Sequence, residues 1–106
     1  MNDSEFKILI ELASNSNLTQ RELSKRVGLS LGGINYVLKA LIKKGYVKAQ
    51  RFKDSDNKIS YLYVLTPKWM YDKAKLVQQF FHTKLEEYNR LQQELETLKK
   101  IMEENK

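Results

Sequence analysis

The residues with the most pointed chemistry lie on one helical arc. In the run Leu31–Lys44, the positions Gly32, Tyr36, Lys39 and Lys43 recur at spacings of three and four, with Asn35 at their flank. Lysine ammonium groups suit phosphate oxygens. An asparagine amide can bond an adenine edge twice, and a tyrosine can contact a base or a phosphate. Gly32 and Gly33 fall in the first helical turn, where each costs up to about 1 kcal/mol against alanine. Bare backbone there lets a helix N-terminus come close to phosphate or base edges. Ser30, just before the run, suits the N-cap. This is the chemistry of holding a polyanion.

Catalysis has no comparable footing. The sequence supplies no nucleophile–base pair and no carboxylate cluster, and its one histidine, His82, stands alone. Gly32–Gly33 do not form a nucleotide-enzyme phosphate loop, because no strand precedes them and the lysine spacing is wrong. We therefore expect no enzymatic activity, no cofactor and no metal.

Charge is sorted along the chain. Between Gln20 and Lys53, nine basic residues (Arg21, Lys25, Arg26, Lys39, Lys43, Lys44, Lys48, Arg51 and Lys53) face only the acidic Glu22. From Pro67 onward, eight basic and seven acidic residues nearly cancel. A localised basic block is the footprint of a polyanion binder. Arg21 and Lys25 read as backbone contacts or as an ordinary solvated face. Arg51, Lys53 and Lys58 surround Asp54 and Asp56 at a turn, and suit a wing over adjacent backbone or minor groove.

The elements that must position these residues follow from capping signals and periodicity. Thr19 with Glu22 three residues on is a capping box, and Leu18 and Leu23 are spaced as a hydrophobic staple. Gly28 suits the left-handed stop of that helix and Gly45 the stop of the next. Two short helices are thus expected over Gln20–Val27 and Leu31–Lys44, a helix-turn-helix. The apolar face of the second should hold Ile34, Val37, Leu38, Leu41 and Ile42. A preceding helix over Asp3–Ser14 has one stripe of Phe6, Leu9, Ile10 and Ala13 and an adjacent one of Ile8 and Leu12. One stripe can pack on the helix-turn-helix, and the other needs a further partner.

From Tyr46 the period changes. Tyr46–Phe52 and Ile59–Leu65 are rich in β-branched and aromatic residues and flank the turn-forming Asp54–Asn57, which predicts a hairpin. Thr66–Pro67 then opens a helix running nearly to Lys106, about 40 residues or roughly 60 Å. Along it, Ala74, Phe81, Tyr88, Leu95 and Met102 recur every seven residues. Val77, Leu91 and Leu98 take the companion position, and Lys84 and Leu85 disturb the middle heptad. No other segment is long enough to cover this seam, so self-association through Ala74, Val77, Phe81, Leu85, Tyr88, Leu91, Leu95, Leu98 and Met102 is expected. The aromatics Trp69, Tyr71, Phe80, Phe81 and Tyr88 read as core or seam ahead of a ligand pocket.

Helix, helix-turn-helix and hairpin in this order make a winged helix, with the remaining short strand at Asn17–Thr19. The run from Glu5 to about Lys68 resembles the winged helix-turn-helix of MarR-type bacterial transcription regulators, and most nearly the small branch associated with exopolysaccharide gene clusters. The residues that carry the likeness are Leu18–Lys48, Phe52–Lys58 and Tyr63–Trp69, with a coiled-coil helix trailing after them. Trp69 departs from the pattern, since glycine is usual after that lysine. Larger relatives dimerise through N- and C-terminal helices around an effector pocket. This chain has no equivalent N-terminal extension, so such a pocket is not implied.

The expected fold is mainly α with a small β-hairpin (α+β): a winged helix over residues 1–66, then a dimerisation helix over 67–106. The expected function is a homodimeric, sequence-specific regulator on a pseudo-palindromic operator, with helix 31–44 in the major groove and hairpin 46–65 as wing. The competing reading keeps the fold as a protein-interaction adaptor without specific DNA binding. It calls for acidic or apolar residues where helix 31–44 carries glycine, tyrosine and lysine. Expected partners are double-stranded DNA and a second copy, with no membrane and no small-molecule effector implied. Absent cysteine, a secretion leader or a long apolar run, a cytoplasmic setting is expected.

Overall fold

The computed structural model describes residues 1–105. Its elements in order are α1 (Asp3–Ser14), α2 (Gln20–Val27), α3 (Leu31–Lys44), β1 (Val47–Lys53), β2 (Ile59–Leu65) and α4 (Pro67–Glu104). Met1–Lys73 form one compact unit, and α4 from Ala74 onward belongs to a second. None of the described helices is long and apolar enough to cross a membrane.

Local chemistry sets the helix ends. At α2, the Thr19 hydroxyl accepts from the Glu22 amide and the Glu22 carboxylate accepts from the Thr19 amide, both at 3.1 Å. Asn2 and Glu5 form a second such box at α1. Gly28 ends α2 at φ 80° and Gly45 ends α3 at φ 84°. After α3 the Gly45 amide donates to Ile42 and the Tyr46 amide to Leu41, the paired bonds of a Schellman stop. Tyr46 thereby spends its N–H on the helix. That is why β1 begins at Val47, one residue later than the sequence pattern suggests.

The core of the first unit contains Phe6, Ile8, Leu9 and Leu12 of α1, Leu18, Leu23 of α2, and Ile34, Val37, Leu38 and Leu41 of α3. It also takes Val47, Tyr63 and Trp69. Two sequence expectations are corrected here. Ile10 is 55% exposed and Ala13 is also exposed, so α1 buries Phe6 and Leu9 together with the adjacent stripe of Ile8 and Leu12. Ile42 is 41% exposed, at the edge of the apolar face of α3 and outside its core.

Strands β1 and β2 pair antiparallel, Val47 opposite Leu65 through Lys53 opposite Ile59. The third strand of the wing is reduced to a single bridge, in which the Tyr63 amide donates to the Leu18 carbonyl at 2.8 Å. At the turn, the Asp54 carboxylate accepts from the Asp56 and Lys58 amides, each at 3.0 Å, and Asn57 takes φ 63°.

The compact unit continues past residue 66 because the first turns of α4 are built into it. Trp69 is 1% exposed and meets Phe6 and Tyr46 edge-on, with ring centroids at 6.3 and 6.0 Å. Around it, the Thr66 hydroxyl donates to the Gly45 carbonyl and the Lys68 ammonium to the Lys44 carbonyl. The Tyr46 hydroxyl donates to Asp72 at 3.0 Å, and the Lys68 ammonium lies 5.2 Å from the Tyr46 ring centre. Burial, followed by the Asp72 carboxylate, raises the Tyr46 hydroxyl above its ordinary pKa. Three other aromatics of α4 part company with Trp69, Tyr71 at 89%, Phe81 at 60% and Tyr88 at 57% exposed, while Phe80 is half-buried.

Candidate nucleic-acid interface

Helix α3 is held by its apolar face, which leaves the opposite face to solvent. Gly32, Lys39 and Lys43 are exposed, Tyr36 is 78% exposed, and Asn35 is half-buried. Ser30 does two jobs. Its Oγ accepts from the Gly33 amide at 3.1 Å as the N-cap, and its side chain remains exposed beside that first turn.

The two glycines are not equivalent. A Cβ built on Gly33 would lie 3.3 Å from Ser30 Oγ and 3.7 Å from Leu29 Cβ, so Gly33 already makes room for the cap. A Cβ on Gly32 would meet nothing within 4 Å. Packing within the chain gives Gly32 no reason to lack a side chain.

Ion pairing divides the basic block. Arg26 pairs with Glu11 at 3.1 Å, and Lys44 pairs with the buried Glu5 at 2.5 Å. Both are therefore committed to joining helices of the first unit. By contrast, Arg21, Lys25, Lys39, Lys43, Arg51, Lys53 and Lys58 are all exposed, and among the described residues none of them forms an ion pair. Lys48, outside the expected site, is exposed and unpaired in the same sense.

Strand register joins part of the wing to the helices. Arg51 stands opposite Tyr61 and Lys53 opposite Ile59, so alternation places all four on the face that also carries Tyr63. On that face an open cleft of about 460 Å³ is lined by Thr19, Gln20, Arg21, Leu31, Ser60, Tyr61 and Tyr63. Gln20 spans it, donating to the Leu31 carbonyl at 2.8 Å and fixing the start of α3 against the start of α2. Gln20, Ser60 and Tyr61 were not singled out by the sequence pattern. The available signal was the alternation of Tyr61 with the buried Tyr63, which puts Tyr61 on the helix-facing side of β2.

The geometry therefore offers one glycine-opened helix N-terminus, an amide, two phenols and a spread of uncommitted cations. Among the described residues, no group of three or more His, Cys, Asp or Glu side chains is placed to hold a metal.

Residues 1–48 match the family model described as winged helix-turn-helix DNA-binding. Solved structures align with most of the chain. A MarR protein from Peptoclostridium difficile aligns at TM-score 0.63 and 21% identity, over 77% of this chain and 52% of its own. A MarR family regulator from Neisseria meningitidis aligns at TM-score 0.60 and 24% identity, over 99% of this chain and 78% of its own. The PcaV transcriptional regulator of Streptomyces coelicolor aligns at TM-score 0.64 and 21% identity, over 78% of this chain and 60% of its own.

The fold is a winged helix. In its terms α2 and α3 are the helix-turn-helix and the β1–β2 hairpin is the wing. The chain spans about half the length of the first of these structures and three-fifths of the Streptomyces protein. No curated protein matches the sequence.

Proposed function

We infer that the chain is a homodimeric, sequence-specific DNA-binding transcription regulator of MarR-like type. The observation that carries this reading is the partition of charge. Arg26 and Lys44, which join helices of the first unit, are ion-paired, whereas among the described residues Lys39 and Lys43 of α3, Arg21 and Lys25 of α2 and the cations of the wing are not. In this reading α3 enters the major groove with Ser30, Gly32, Gly33, Asn35 and Tyr36 nearest the bases. Lys39, Lys43, Arg21 and Lys25 hold phosphates, and Arg51, Lys53 and Lys58 rest on the flanking backbone. Two copies joined through the seam of α4 then face two half-sites of a pseudo-palindrome, spaced by one helical turn or a multiple. Exopolysaccharide gene clusters are the setting that the sequence likeness suggests.

The seam supports the dimer. Val77, Phe81, Leu85, Tyr88, Leu91, Leu95, Leu98 and Met102 are between 43% and 69% exposed in the single chain, and Ala74 is exposed beside them. A row of this length at heptad spacing gains most of its burial from a like helix.

Fluorescence anisotropy of the full chain on labelled DNA from its own promoter region tests the reading. We expect log K to fall steeply with log salt, by about 0.9 per phosphate contact. Lys39→Ala should lower that slope by about 1 per subunit. Asn35→Ala should cost roughly 1–3 kcal/mol on the operator and little on unrelated DNA. Salt-insensitive binding, or an affinity untouched by Asn35→Ala and Lys39→Ala combined, would refute it.

A further inference from the structure

We propose that the exposed seam of α4 binds a second copy of the chain in parallel, in-register alignment. This rests on the self-association reading above and adds the direction of the partner. The argument comes from the residues that flank the seam. With Ala74, Phe81, Tyr88, Leu95 and Met102 at the first core position of each heptad, the flank before it carries Lys73, Phe80, Glu87, Glu94 and Ile101. The flank after the second core position carries Gln78, Leu85, Gln92 and Lys99.

In a parallel pair, each residue of the first flank meets the residue five places on in the second copy. Phe80 then meets Leu85, Glu87 meets Gln92, and Glu94 meets Lys99, and each contact is made twice by symmetry. The first covers Leu85, which is 44% exposed in the single chain. The last is an ion pair between groups that form none in the single chain among the described residues. Antiparallel alignment brings like flanks together instead. With the seam fully overlapped and Met102 against Val77, Phe80 faces Ile101 and Glu87 faces Glu94 of the second copy, each twice. Like charges so placed oppose association.

The middle heptad fits the same arrangement. Lys84 occupies a core position, but its ammonium is drawn aside to Glu87 at 3.2 Å and sits 5.3 Å from the Phe80 ring centre. The layer is thereby left to Leu85. Parallel pairing also attaches both winged-helix units at the same end of the coiled coil.

Two measurements on the full chain decide it. The chain has no cysteine, so Met102→Cys introduces a single thiol per copy. In a glutathione redox buffer the parallel dimer should cross-link through this position alone. Cross-linking only when Met102→Cys is mixed with Val77→Cys would mean antiparallel pairing and overturn the proposal.

Charge reversal gives an opposite sign for the two alignments. Glu94→Lys should weaken parallel dimerisation roughly ten-fold, and mixing it with Lys99→Glu should restore it, because both interchain pairs re-form in the heterodimer. Tighter dimerisation of Glu94→Lys alone would overturn the proposal. Sedimentation equilibrium of the unsubstituted chain separates this failure from the larger one. A monomer would refute self-association itself, and the parallel arrangement with it.

Discussion

Replacing Gly32 with alanine isolates the role of the α3 N-terminus. The added methyl meets nothing within 4 Å, so no steric cost is expected in the free protein. Helix propensity alone favours alanine by about 0.5–1 kcal/mol at such a position. For a unit of this size that corresponds to a rise in melting temperature of roughly 2–6 °C. Trp69 is the only tryptophan and is buried in the first unit, so its fluorescence reports the transition directly. On DNA the sign should reverse. If backbone at Gly32 lies against a phosphate or base edge, a methyl there overpacks the contact at roughly 1–2 kcal/mol. That is about a five- to thirty-fold loss of operator affinity by anisotropy. Gly33→Ala is the comparison for stability only. Its methyl crowds Ser30 Oγ at 3.3 Å, so part or all of the propensity gain is lost at the cap. A Gly32→Ala protein that melts higher and binds its operator unchanged would refute the close-approach argument.

Two further outcomes test the fold beneath the site. Trp69→Ala should destabilise the first unit by about 3–5 kcal/mol, since it empties the space between Phe6 and Tyr46; tyrosine fluorescence or circular dichroism during urea unfolding measures it. Glu22→Gln should narrow the acid sensitivity of the protein. The Thr19 amide holds the Glu22 carboxyl below its ordinary value of 4.5, so its contribution is present above that pH and lost as pH falls through the lowered folded value. Because the carboxylate is exposed, the expected gap between variant and parent at pH 7 is about a few tenths of a kcal/mol, closing at an acid pH below the lowered folded value. A gap of equal size at both pH values in thermal melts would show that charge plays no part in this cap.

Helix ends were readable from the sequence because they depend on neighbours three to five residues away. Thr19 and Glu22 announce one start, and Gly28 and Gly45 announce two stops. The buried side of α1 was not readable in the same way. Ile8 and Ile10 are chemically alike, and only the packed helices decide that Ile8 goes inward while Ile10 stays out. Trp69 shows the same limit more sharply. Its sequence context marks a helix start, whereas its burial depends on Phe6, which lies far away along the chain. The candidate interface was legible as a set of residue types on one arc of α3. The commitment of Arg26 to Glu11 and of Lys44 to Glu5 was not, since partners fifteen and thirty-nine residues away leave no local spacing signal.

The bonds that join the end of α3 to the start of α4 also bear on motion. Helix ends ordinarily fray, and their amides exchange with solvent through small local openings. Here the carbonyls of Lys44 and Gly45 are held by Lys68 and Thr66, and the amides of Gly45 and Tyr46 are held by Ile42 and Leu41. The last turn of α3 cannot open without releasing the first turn of α4. In hydrogen exchange the Gly45 and Tyr46 amides should therefore be as slow as the core of α3, so that this helix end opens only with the unit as a whole.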